Sequence, residues 1–194
     1  MPNHCTNRVT VEGPQEVIDW MKAAVREEKE DGTVEPFSAN KVIPMPAVLV
    51  GTVKSSKPNP EEQAKNDAAL KACGYDNWYD WCCQNWGTKW GHYDFWSEEW
   101  DGNVIGFSTA WIPSTPVVAA LAQKFPQLKI THDYSDEGYD FAGRTVYEDG
   151  EQTAGIFYEY DTPEWEEFMA DLHGDGWLEQ WEEQKAEMEA EDAA

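Results

Sequence analysis

The residues with the clearest chemical potential are carboxylates. Asp133, Asp136, Glu137, Asp140, Glu148, Asp149 and Glu151 crowd one stretch, and Glu166, Glu167, Asp171, Glu179, Glu182 and Glu183 follow them. A display of this kind attracts cationic surfaces, and at sufficient density it imitates a phosphate row. Duplex DNA carries one charge per ~1.7 Å. Residues 161–194 drawn as one helix would be about 50 Å long and carry 13 acids, one per ~4 Å. The tail alone is sparser than DNA, so the 133–151 cluster must join it for imitation to work. The expected chemistry is non-covalent: recognition of a basic protein, with these thirteen side chains as the binding residues. A solvated acidic tail that aids solubility accounts for the same charge run.

Four other constellations suggest chemistry. Asn85-Trp86-Gly87-Thr88-Lys89-Trp90 places a scarce cation between indoles, so Trp86, Lys89 and Trp90 form an alternative site for nucleic acid or a small ligand. The neighbouring Trp78, Trp81, Trp96 and Trp100 fit the same picture, or a core. His4, Cys5, Cys82, Cys83 and His92 are soft metal ligands, but the paired spacing of a zinc site is missing and no metal is expected. Asp94, Glu98, Glu99 and Asp101 suggest glycoside hydrolysis, yet Glu98 and Glu99 would point to opposite faces of a strand. No GxSxG, Walker A, GxGxxG or HExxH occurs. The chain is therefore read as non-enzymatic, with no catalytic residue and no cofactor.

Composition sets the frame for these residues. The chain has 194 residues, 38 Asp+Glu against 14 Lys+Arg, and a net charge of −24. It also holds 11 Trp, 8 Tyr and 7 Phe, enough rings to fill a core that a disordered acidic chain would lack. Strong acidity weighs against direct duplex DNA binding and against anionic membranes. No apolar run nears the ~18 residues of a membrane span. The first residues, Met1 to Arg8, lack a signal-peptide pattern, and four cysteines read as reduced thiols. A cytoplasmic protein is expected.

The elements that must position these side chains follow from periodicity. Asn7–Glu12 alternates as a strand, and Val17, Trp20, Met21, Ala24 and Val25 mark the apolar face of a helix. Residues 33–60 read as a long connection tacked down by Phe37, Val42, Ile43 and Met45, followed by helices at Glu61–Cys73 and Tyr75–Trp86. Asp94–Trp100 and Asn103–Trp111 flank Asp101-Gly102 as a hairpin whose core face would carry Trp96, Ile105, Phe107 and Trp111. A helix with Val117, Val118, Leu121 and Phe125 inward, a strand from Leu128 to Tyr134, and a hairpin of Phe141–Tyr147 with Gly155–Tyr160 come next. The order predicts an α+β, ferredoxin-like βαββαβ two-layer sandwich over 1–160, with a helical insertion at about 33–92 after the first helix. Residues 161–194 are expected to form an acidic helical C-terminal extension. Its stripes are Trp165, Phe168, Met169 and Leu172, then Trp177, Trp181 and Met188.

The motifs MPNHCTNRVTVEGP, KVIPMP (41–46), YDWCCQNWGTKW (79–90), STAW (108–111) and FAGR (141–144) occur in this order. With them the chain resembles the Api-type phage and plasmid proteins with a YubB-like, ferredoxin-like domain, over roughly residues 1–145. The resemblance implies a fold and a mobile-element setting, and carries over no site residue. In that setting the basic partner becomes a host protein in the host cytoplasm, and a DNA-mimicking inhibitor of host defence is the most specific form of the expectation. Charge follows the same division. Residues 1–131 are net −5, residues 132–160 net −7 and residues 161–194 net −12.

Overall fold

The computed structural model describes residues 3–174 and 176–192. Alternation in β1 (His4–Glu12) buries Cys5, Asn7, Val9 and Val11 on one side. Gly13-Pro14 leads into α1 (Gln15–Val25), whose inner line is Ile18, Met21 and Val25. The expected face of Val17, Trp20, Met21, Ala24 and Val25 is therefore rotated. Trp20 is 63% exposed, and its ring closes edge-on over Phe125. An indole can cover the rim of a core in this way, which leaves the inner line to the slimmer Ile18.

Short strands β2 (Glu27–Glu28) and β3 (Val34–Glu35) pair after α1, β3 at the start of the stretch read from sequence as a long connection. Phe37 and Val42, the latter in α2 (Ala39–Val42), are buried and tack the long connection to the core as predicted. Asn59 begins α3 (Pro60–Cys73) by accepting the N–H groups of Glu61 and Glu62, while Glu62 returns a carboxylate to the Asn59 N–H at 2.8 Å. Gly74, at φ +83, ends it. Asn77 caps α4 (Trp78–Asn85), which buries Trp81 and Cys82.

The main sheet follows from β4 (Val104–Ala110), β5 (Lys129–Asp136), β6 (Ala142–Glu148) and β7 (Glu151–Tyr158), in the order β4-β1-β5-β6-β7 with antiparallel neighbours. Strands β4 and β5 flank β1, and α5 (Thr115–Lys124) makes the crossover between them. This is a ferredoxin-like α+β arrangement. The Asp94–Trp100 arm of the expected hairpin is not a regular strand. It is held to β4 by Tyr93 and Ser108, which exchange backbone bonds of 3.1 and 2.7 Å, and by the Trp96 N–H on the Gly106 carbonyl at 3.0 Å. The turn lies one residue later than expected, with Gly102-Asn103 between the paired Asp101 and Val104. Ile105 and Phe107 are buried as expected. Trp96 lies instead over Gly106, where a Cβ would come within 1.9 Å of the indole, and Trp111 sits outside the core.

The centre of the sheet is covered on both faces while β7 stays exposed, which corrects the two-layer expectation. α1, α5 and the segment from Phe37 to Trp86 bury one face. α6 (Pro163–His173) and α7 (Trp177–Asp192) close over the other. Thr162 caps α6 at the Trp165 N–H, with Pro163 in the first turn. The apolar stripe of Trp165, Phe168, Met169 and Leu172 needs a surface, and Ala142, Tyr139 and Tyr158 provide it. Trp181 joins this second core. The Met188 side chain lies outside the described residues.

Candidate functional site

The thirteen carboxylates separate into three groups. Two turn inward. Asp133 is 1% exposed and receives Arg8 Nη2 at 2.7 Å and Arg144 Nε at 2.5 Å. These three residues are cross-strand neighbours on β1, β5 and β6, so register alone brings them together. Asp136 is equally buried and accepts the Gly138 N–H at 2.8 Å. A second pair is engaged from one side. Asp171 meets Arg8 both through its carboxylate and through its carbonyl, the latter at 2.6 Å. Glu166 accepts the Trp181 Nε1–H at 3.1 Å and lies 3.6 Å from Lys185.

The remaining nine are exposed. Glu137 and Asp140 lie on the β5–β6 turn, Glu148, Asp149 and Glu151 at the β6–β7 turn, Glu167 on α6, and Glu179, Glu182 and Glu183 on α7. The two turns are at opposite ends of β6, a separation of about 20 Å for a strand of this length. The single continuous row expected from sequence is thus divided. The β5–β6 turn adjoins α7: the Tyr139 ring packs edge-on against Trp165 and Trp181 at 5.5 and 5.3 Å, and its hydroxyl reaches Gln184. Lys185, the one cation in the last 34 residues, is paired with Asp161.

The alternative site loses one member. Trp86 is buried and donates from Nε1 to the Ile43 carbonyl at 2.9 Å, so it is a core residue. Lys89 lies instead between Trp90 and Trp111, with its ammonium 4.4 and 5.1 Å from the two rings. Trp111 is 39% exposed and has φ +69, a strained conformation for a bulky residue. Its spacing in the sequence marked it as a core residue, and nothing local signalled the left-handed turn.

The soft ligands are dispersed. Among the described residues no group of three or more His, Cys, Asp or Glu converges as a metal site. His4 Nδ1 bonds the Tyr93 hydroxyl at 2.9 Å. Burial pushes the Cys5 and Cys82 thiols up to about 12, far from a reactive thiolate. His92 Nε2 lies 2.8 Å from Ser114 Oγ, with Nδ1 on the Phe37 carbonyl, which has the outline of a nucleophile and its base. Both are buried, however, and burial lowers His92 to about 4, so the neutral ring donates to Phe37 and accepts from Ser114. The bond explains why Ser114, at the start of α5, makes no capping contact of its own.

A family model described as a ferredoxin-like domain in Api92-like protein matches residues 85–191. The chain belongs to that family. The match takes in α6 and most of α7, so the acidic helices fall within the family's domain rather than after it, as the sequence motifs of residues 1–145 had suggested. The crystal structure of protein api92 from Yersinia pseudotuberculosis is 13% identical. It covers 84% of this chain and 100% of its own, with a TM-score of 0.51, and shows that this Api92-like chain shares its fold. No curated protein sequence matches.

Proposed function

We propose that the chain is a non-catalytic binding protein that recognises a basic partner protein through its outward carboxylates. The observation that carries this is the end of the molecule where α7 meets the β5–β6 turn. Glu137, Asp140, Glu179, Glu182 and Glu183 are exposed there, and the nearby Lys185 is already paired. An uncompensated patch raises the local potential and steers a cationic surface toward it. In its extended form the proposal is of a phage or plasmid accessory protein in the host cytoplasm that blocks a host defence protein by imitating DNA. The α7 end would supply one stretch of that imitation, and Glu148, Asp149 and Glu151 a second.

The test compares capture from host extract by the native chain and by a variant carrying Asp140→Asn, Glu179→Gln, Glu182→Gln and Glu183→Gln. A basic protein retained at low salt by the native chain and lost by the variant is the expected result. Equal retention by both would remove this surface from the proposal. One observation favours a second function, the stack of Lys89 between two partly exposed indoles, which suits a base or another flat anion. A single-stranded oligonucleotide is the second probe in the same experiment, read by quenching of indole fluorescence.

A further inference from the structure

We propose that the outer edge of β7 is a docking strand for an extended, basic segment of the partner, which would join the sheet as its sixth strand. The idea rests on the function proposed above and specifies how the partner is held.

The two edges of the sheet differ. The β4 edge is covered by backbone bonds from Tyr93 and Trp96. β7 is exposed from Glu151 through Phe157, and among the described residues no strand pairs with its outer side. Every second backbone N–H and C=O of such a strand points at solvent, and proteins usually blunt these edges with Lys, Pro or inward-pointing charge. β7 has neither Lys nor Pro; its one irregularity is a bulge at Thr153, and from Ala154 to Tyr158 it pairs regularly with β6. Residues 152–158 read QTAGIFY, without a charge or a proline, in a chain whose residues are 27% charged. Ile156 and Phe157 are 47% and 69% exposed.

The surroundings of this neutral edge select its occupant. Glu148, Asp149 and Glu151 stand at its start. Beside its end, Glu164 and Glu167 of α6 line a cleft of about 360 Å³ with Tyr158. Arg144 reaches the same cleft, but its guanidinium is bonded to Asp133. A strand that alternates basic and apolar residues would satisfy the β7 backbone and place its cations toward these carboxylates. A second copy of this chain fits poorly, because it would bring another −24 charges, and its own acidic frame, against the first.

The probe is a fluorescent peptide as long as β7 that alternates Lys and Val. Its control has the same sequence, N-methylated at alternate amides, so that charge is kept and strand pairing is lost. The peptide is expected to bind at least about tenfold more tightly than its control and to protect the Gly155–Tyr158 amides from hydrogen exchange. The double variant Glu164→Gln, Glu167→Gln should weaken it. Equal affinity for both peptides overturns strand addition and leaves recognition of basic partners standing. Binding of neither peptide also overturns strand addition, whereas the function proposed above stands or falls with the variant at Asp140, Glu179, Glu182 and Glu183. Sedimentation as a dimer, with β7 protected in the absence of peptide, also overturns the proposal, because the edge would then belong to a second copy.

Discussion

Single residues in this chain are constrained by what burial does to charge, and two histidines show it most clearly. His92 is lowered to about 4 and His132 to about 3, both chiefly by desolvation. His132 donates from Nε2 to Asn7 Oδ1 at 2.9 Å, and among the described residues its Nδ1 has no partner that could stabilise a second proton. Both rings are therefore neutral in the folded chain at pH 7. The unfolded chain takes up protons below pH 6.5, whereas the folded one resists until about 4 and 3. The stabilising contribution is complete above pH 6.5 and is lost as pH falls toward those values. At pH 5 the loss is about 2 kcal/mol per histidine. Protonation of surface carboxylates relieves repulsion over a lower range and acts in the opposite direction. Urea unfolding at pH 7 and pH 5 separates the two effects: His92→Gln should reduce the difference in stability between the two pH values by about 2 kcal/mol. An unchanged difference would show that His92 is charged, or exposed, in the folded protein. Asp133 teaches a related lesson about legibility. Seven carboxylates within residues 133–151 looked equivalent, because a string of acids does not reveal which one lies beside an arginine 125 positions earlier.

At the scale of elements, sequence was most informative where a pattern is local. The apolar stripe of α6 and the alternation of β1 could be read directly, because each depends on neighbours within a few positions. The arm at residues 94–100 could not. Its aromatic residues suit a strand, yet Trp96 settles on Gly106, a glycine that leaves room for it, and the arm bends. The docking of α6 was equally hidden, because its fastening is non-local. Arg8 on β1 holds both buried Asp133 and Asp171 of α6. Breaking a buried ion pair typically costs 3–5 kcal/mol. Arg144 still serves Asp133, so Arg8→Ala should cost about 2–3 kcal/mol and shift indole emission to the red as Trp165 and Trp181 gain water. Asp171→Ala, at a carboxylate 59% exposed, should cost under about 1 kcal/mol. Arg8→Lys should restore little, since one ammonium cannot replace a fork spread over Asp133 and the Asp171 carbonyl. If the Asp171 variant were as damaging as the Arg8 variant, the clamp would depend on the exposed pair rather than on the buried one.

For the whole molecule, the deciding question is whether the last third is an appendage or a layer. Charge and packing give opposite answers when the chain is cut after Tyr160. Removing residues 161–194 removes −12 of the −24 net charge, and relief of repulsion alone would stabilise what is left. The same cut uncovers Tyr139, Ala142 and Tyr158 and lets water reach Arg8 and Asp133. Exposed charges more than about 8 Å apart are largely screened at physiological salt, so the repulsive gain is small. Losing the cover over two tyrosines and a buried ion pair costs about 3 kcal/mol or more. Packing should prevail. The truncated chain is expected to melt at least about 6 °C lower than the intact one, since each kcal/mol moves the midpoint of a protein of this size by about 2–4 °C. The gap should change little in 0.5 M salt, because the term that decides it is not screened. A truncated chain that melts higher at low salt, with the advantage vanishing as salt is added, would mark α6 and α7 as a tolerated acidic appendage. Their placement over the sheet would then contribute nothing to holding the fold.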